Sequence, residues 1–163
     1  MILATDVHYL DSTAKVAGVL FDAWNAKAPR QEVTCQVDHI EPYESGSFFK
    51  RELPCILALL EKHRLEVDCI VVDGYVFLDN QSKPGLGKYL YDALDERVPV
   101  IGVAKTPFAG ISDEHKLFRG KSEKPLYVTT TDNLTTAKQN ISNMHGGFRI
   151  PTLLKRVDQL CRE

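Results

Sequence analysis

Two short apolar runs in this chain each end on an aspartate. Met1-Ile2-Leu3-Ala4-Thr5 leads into Asp6, and Cys69-Ile70-Val71-Val72 leads into Asp73-Gly74. Runs this brief and this apolar read as strands, and a fully apolar strand is covered on both of its faces. Residues 98–104 form another such run, ending just before Lys105. Buried strands of this kind belong in the middle of a sheet with helices on either side.

The order of the remaining segments fixes the class. Residues 1–10, 13–22 and 31–41 read as three strands separated by short turns, and in the last of them Val33, Cys35 and Val37 alternate with polar neighbours. That is an antiparallel meander. A turn at 42–46 then precedes a helix over 47–63, whose Phe49, Leu53, Ile56, Leu59 and Leu60 recur at helical spacing. Pro54 removes one backbone donor from that helix. Beyond the strand at 68–73, residues 86–96 read as a helix, 106–124 as loop, and 126–130 as a strand. Residues 135–144 and 152–161 read as helices, the second following Pro151. Three antiparallel strands followed by alternating helices and strands predict an α/β fold of ribonuclease-H-like layout, a mixed β-sheet flanked by α-helices, in one domain spanning 1–163.

The chain has 163 residues, 44% hydrophobic and 26% charged, with a formal net charge of -2. This weighs against a general coat protein for nucleic acid but not against a nuclease, whose acids face a metal. No apolar run approaches the roughly 18 residues of a membrane span, and no basic leader precedes the first strand, so no membrane association and no signal peptide are expected. Cys35, Cys55, Cys69 and Cys161 form no CxxC pair, and Cys55 and Cys69 read as core thiols. A cytoplasmic monomer is the expectation. The basic residues Lys105, Lys116, Arg119, Lys121 and Lys124, with Lys155 and Arg156 later, read either as a positive rim or as an ordinary solvated surface.

Carboxylates at strand ends can share one edge of a sheet, where like charges repel unless a hard cation sits between them. Asp6, Glu52, Asp73 and Asp158 are the candidates, and the chemistry they suggest is magnesium-type phosphodiester hydrolysis. Each also has a plain reading. Asp6 suits a hydrated strand end, Asp73-Gly74 a turn, and Glu52 an exposed acid beside Lys50 or Arg51. Lys105 suits either a surface lysine or a group that neutralises charge on a phosphate. Asp6 and Asp73 meet only if their strands are neighbours, which parallel pairing through the 47–63 helix allows. His8 and His145 stand alone and carry no ligand argument.

A set of short motifs is spread over nearly the whole chain. These are Asp6-Val7-His8-Tyr9, the stretch from Pro42-Tyr43-Glu44-Ser45-Gly46 to Phe49-Lys50-Arg51-Glu52, and Val72-Asp73-Gly74. Ile101-Gly102-Val103-Ala104-Lys105, Pro125-Leu126-Tyr127-Val128 and Arg149-Ile150-Pro151 follow in order. Together they resemble the endonuclease V family. The resemblance implies a ribonuclease-H-like fold and a DNA-repair type of endonuclease. Such an enzyme cuts DNA or RNA near a deaminated base, mainly inosine, with Mg2+ or Mn2+. The cut falls at the second phosphodiester 3′ to the lesion and leaves a 5′-phosphate. It also implies that Asp6, Glu52, Asp73 and Asp158 bind metal, that Lys105 faces the phosphate, and that Tyr43 is a wedge beside the displaced base. Backbone groups near Gly46 and Gly74 would read that base. Divalent cations would lower the pKa of the attacking water and steady the phosphate.

Some positions depart from the family pattern. Tyr75 stands where a small or polar pocket residue is usual, and Asp79-Asn80-Gln81 replaces a His-Pro-Arg stretch. Ser45 replaces a proline, and Thr152-Leu153-Leu154-Lys155-Arg156 replaces a Pro-Glu-Pro-Thr-Arg run. The alternative these departures leave open is a non-catalytic or altered-specificity nucleic-acid-binding relative that has lost inosine recognition.

Overall fold

The computed structural model describes residues 1–40, 42, 44–45, 49–80 and 83–163. Tyr43 and Gly46, the expected wedge and one expected pocket residue, lie outside the described residues, as do the first two positions of the expected 47–63 helix.

Strands β1 (Ile2–Leu10), β2 (Thr13–Phe21) and β3 (Gln31–Val37) form the expected antiparallel meander. β3 stops short of residue 41, because His39 takes a positive φ and Ile40 donates its N–H to Ser12 O at 2.9 Å, which turns the chain off the sheet. Helix α1 (Phe49–His63) runs through Pro54 and leads to β4 (Cys69–Asp73). Helix α2 (Leu86–Ala93) ends before residue 96, since Asp95 and Glu96 both adopt positive φ. Next come β5 (Val100–Ala104), β6 (Lys116–Leu117), β7 (Leu126–Thr130), α3 (Leu134–Ser142) and α4 (Thr152–Arg162). The side chain of Asn133 caps α3 by accepting from Thr136 N at 2.9 Å. The stretch 106–124 is not all loop. It carries a short 3-10 turn at Asp113–His115 and then β6, whose two residues pair with Tyr127 and Leu126.

The seven strands form one mixed sheet in the order β3-β2-β1-β4-β5-β7-β6. β1, β4 and β5 are parallel neighbours, and the other pairings are antiparallel. The apolar runs therefore lie at the centre. Alternation along them builds two cores. Ile2, Ala4, Val71, Ile101 and Val103 meet Ile141, Leu153 and Val157 of α3 and α4. Leu3, Val7, Ile70 and Val72 meet Ile56, Leu59 and Leu90 of α1 and α2 on the opposite face. This is the mixed sheet flanked by helices of the ribonuclease-H-like layout. Cys55 is buried as expected, whereas Cys69, at the start of β4, is only partly covered. Among the described residues no helix is long and apolar enough to cross a membrane.

Candidate active site

A strand repeats every two residues, so parity decides which side chains can meet. Asp6 shares the face of Ile2 and Ala4, and Asp73 shares the face of Val71. Ala4 pairs with Val71, and each aspartate stands two residues further along its parallel strand. Val71 pairs with Ile101 and Asp73 with Val103, so Lys105, two residues past Val103, continues the same face of β5. Three charged residues thus emerge from the C-terminal ends of three adjacent parallel strands, under the helix that carries Asp158. That helix, α4, packs against β1 and β2.

Lys105 Nζ lies 3.9 Å from Asp73 Oδ2, with both side chains 43% exposed. A pair so open to water is worth little to stability and leaves the ammonium free to move to another anion. Asp6 Oδ1 accepts from Val7 N at 2.9 Å, and Arg162 Nε donates to Asp158 Oδ1 at 3.1 Å. Burial, then the charge of Asp73, with a hydrogen bond to Asp158 adding to them, push the Asp6 carboxyl up to about 7. Burial also raises Asp158, but hydrogen bonds from Arg162 and Asp6 outweigh it and hold that carboxyl low. The shared proton therefore resides on Asp6. Burial pushes Asp73 up as well, against the pull of Lys105.

Glu52 is not the surface acid that its neighbours Lys50 and Arg51 suggest. It sits in the first turn of α1 and is 5% exposed. Burial, followed by the charges of Asp73 and Asp6, drives its carboxyl well above the ordinary range. An acid takes such a position cheaply only if protonated or if a cation neutralises it. Sequence could indicate Glu52 but not its burial, which depends on where the first turn of α1 meets the sheet.

Among the described residues, the donor atoms within 4.8 Å of one another belong to Asp6, Asp158 and Cys161. Glu52 and Asp73 stand outside this compact group and join it through charge alone. Cys161 was not anticipated as a ligand. It follows Asp158 by three residues, a spacing that places both on one face of a helix, and it is 1% exposed with its Sγ donating to Asp158 O at 3.1 Å. A cleft of about 30 Å³ opens among Asp6, Asp73 and Lys105 against a wall of Ile150, Pro151 and Leu154, room for a water or an ion.

Beside this cleft lies a larger one of about 440 Å³, bounded by Gly74, Tyr75, Phe49, Leu86 and Thr106. Gly74 has φ of 142°, a conformation that disfavours side chains. Gly102 lets the turn lie close to the sheet, since a Cβ there would fall 2.5 Å from Gly74 O. Val76 N donates to Thr129 Oγ1 at 2.8 Å and fixes the turn from below. The Tyr75 hydroxyl donates to Thr106 O at 2.5 Å, and its ring meets Phe108 edge-on at 4.9 Å between centroids. The tyrosine is thus a fixed part of this cleft's wall.

The Endonuclease V family profile matches residues 1–143, a span that carries Asp6, Glu52, Asp73 and Lys105. The chain belongs to the endonuclease V family. Endonuclease V from Streptomyces coelicolor is 29% identical over 184 aligned positions, covering 99% of this chain and 77% of the relative. The crystal structure of endonuclease V from Streptomyces avermitilis superposes with a TM-score of 0.81 at 28% identity, covering 99% of this chain and 79% of that one. The Ciona intestinalis endonuclease V, solved with a 24mer DNA containing an inosine followed by a ribo-adenosine, shares the fold with a TM-score of 0.79 at 19% identity, over 99% of this chain and 84% of that one. Membership in endonuclease V carries the general class of reaction, cleavage of nucleic acid near deaminated bases. Asp158 and Cys161 lie beyond the family match, on α4.

The donor set suits a divalent cation. Carboxylate oxygens that raise one another's pKa are the usual cradle of a hard ion. The buried Glu52, whose carboxyl stays raised against the pull of Arg51, fits the same purpose. Cys161 adds a softer donor on the α4 side.

Proposed function

We propose that this chain is a Mg2+- or Mn2+-dependent endonuclease that hydrolyses a phosphodiester 3′ to a deaminated base, inosine, in DNA or RNA, leaving a 5′-phosphate. The observation that carries this reading is the meeting of Asp6, Asp73 and Lys105 at the ends of parallel strands, with Glu52 and Asp158 supplied by helices on the two faces. Asp6, Glu52, Asp73 and Asp158 would hold the cation. When bound, it lowers the pKa of the attacking water and offsets charge on the phosphate and the leaving oxygen.

The chain's own groups have separate tasks. Asp6 gives up its proton when the site is loaded, because protonated carboxyl and cation compete for the same oxygens. Lys105, now leaning on Asp73, moves to a phosphate oxygen and stabilises charge there as the bond breaks. The cleft at Gly74 and Tyr75 receives the extruded base, whose removal from the stack costs a few kcal/mol. By the family resemblance, Tyr43 and Gly46, which lie outside the described residues, would serve as the wedge and as a base-reading position.

Cleavage of matched inosine and adenosine oligonucleotides tests the reading. DNA and RNA, single- and double-stranded, are each incubated with Mg2+ and then Mn2+. Cutting confined to inosine strands, lost in Asp6→Asn with binding retained, is the expected result. Asp6→Asn protein that cuts as fast as wild type defeats the assignment. The fixed Tyr75 wall favours one second reading, an altered base preference, which the adenosine arm would reveal as equal cutting of both strands.

A further inference from the structure

Phe148 stands out among the exposed side chains. It is 79% exposed, in the loop joining α3 to α4, and just outside the family match. The backbone beneath it is held with unusual care. Arg119, 5% exposed, donates to the carbonyls of Met144 at 2.7 Å, Gly146 at 2.9 Å, Phe148 at 2.5 Å and Arg149 at 3.4 Å. Arg149 in turn donates to the carbonyls of Lys105 and Pro125. Gly120 lies directly underneath, where a Cβ would fall 2.3 Å from Gly147 O. A buried guanidinium spent on the carbonyls of one loop rigidifies that loop. The result is an aromatic ring presented to water on a preorganised backbone, which gains nothing unless something covers it.

The surroundings say what would cover it. Phe148 forms part of a groove of about 890 Å³ whose charged lining is Lys105, Lys121, Arg149, Lys155 and the single acid Asp158. Lys105 and Asp158 also belong to the candidate catalytic cluster, so the groove leads directly away from it. Cations flanking an exposed ring match a chain of alternating phosphates and bases.

We propose that this groove binds the single-stranded segment of nucleic acid next to the scissile phosphate, with one base stacked on Phe148 and phosphates on Lys121 and Lys155. The proposal rests on the endonuclease reading of the neighbouring site. It adds a platform outside the base pocket that holds the strand through an unpaired base. A ring needs a free base face, so the contact favours single strands or frayed ends over intact duplex.

The test is fluorescence anisotropy of the full chain with a labelled single-stranded oligonucleotide in EDTA, so that no cutting intervenes. Phe148→Ala should weaken binding about tenfold, with no change in the salt dependence. Phe148→Trp should restore it. Lys121→Gln with Lys155→Gln should lower the magnitude of the slope of log affinity against log salt by roughly 1.4. Wild-type affinity in Phe148→Ala overturns the platform, even if the enzyme cuts inosine strands normally. Stacking-dependent binding without any inosine cleavage would keep the platform and remove the reading of the catalytic site. A concentration-dependent dimer, seen by sedimentation and lost in Phe148→Ala, would instead mean that a second copy covers the ring, and would overturn the proposal.

Discussion

Replacing Asp6 by asparagine should make the metal-free protein more stable at alkaline pH while removing its response to metal. In the folded chain the Asp6 carboxyl is raised from 3.8 to about 7. Below the lower value both folded and unfolded chains carry the proton, and Asp6 contributes nothing to pH dependence. As pH rises between the two values, the unfolded chain ionises first and is favoured. Above about 7 the penalty is fully present. Three units at about 1.36 kcal/mol each give a ceiling of about 4 kcal/mol, and coupling to Asp158 reduces it to roughly 2–3 kcal/mol. Asparagine resembles the protonated acid: its amide can donate to Asp158, and its carbonyl can keep the bond from Val7 N. For a chain of this size the gain corresponds to a Tm rise of about 4–10 °C. Differential scanning calorimetry in EDTA at pH 8.5 should show that rise, shrinking toward zero near pH 4. Millimolar Mn2+ should then raise the Tm of wild type at pH 8.5 and leave Asp6→Asn unmoved, and its affinity for wild type should climb as pH passes through about 7. An Asp6→Asn protein that is no more stable than wild type at pH 8.5 in EDTA would refute the claim that this carboxylate is held at a cost for a cation.

Two other substitutions separate the roles further. Lys105→Ala should lower kcat by about 10²–10³-fold with little change in substrate affinity, since its exposed contact with Asp73 contributes little to the ground state. Equal losses in kcat and binding, measured by single-turnover kinetics and anisotropy, would make it a mere phosphate anchor. Cys161→Ser should leave Mg2+-supported cleavage intact but raise the concentration of Cd2+ or Zn2+ needed to inhibit it, because among the described residues the thiol is the soft donor grouped with Asp6 and Asp158. Identical inhibition curves for wild type and Cys161→Ser would place those ions elsewhere.

What could be read in the sequence was whatever a short stretch encodes by itself. The apolar runs ending at Asp6 and Asp73 announced buried strands because burial on both faces leaves no polar positions. The helical spacing of Phe49, Ile56 and Leu59 announced α1 despite Pro54, since a single missing donor near the start of a long amphipathic helix costs less than the face it buries. Register was a different matter. That Asp6 and Asp73 are level depends on Ala4 pairing with Val71, a contact across 67 positions that neither strand specifies alone.

The same distinction explains the misses. Glu52 could be read from sequence either as a metal-binding acid or as an exposed acid beside Lys50 and Arg51, and its burial, which separates the two, is set by the sheet edge against which the first turn of α1 lies. Arg119 sat in a stretch without period, and its carbonyl partners are 25 to 30 positions away. Its value to the fold is therefore entirely tertiary. The residues that were hardest to read share one property: each is a charged or aromatic group put where local physics disfavours it, Glu52 away from water and Phe148 in it. Such placements concentrate at sites of function, where the surrounding structure holds them in place. In the proposed reading the partner is a cation for Glu52 and a base for Phe148. If both are supplied by the same substrate complex, Mn2+ and single-stranded nucleic acid should each raise the Tm of wild type. The metal increment should survive Phe148→Ala, and the strand increment should survive Asp6→Asn.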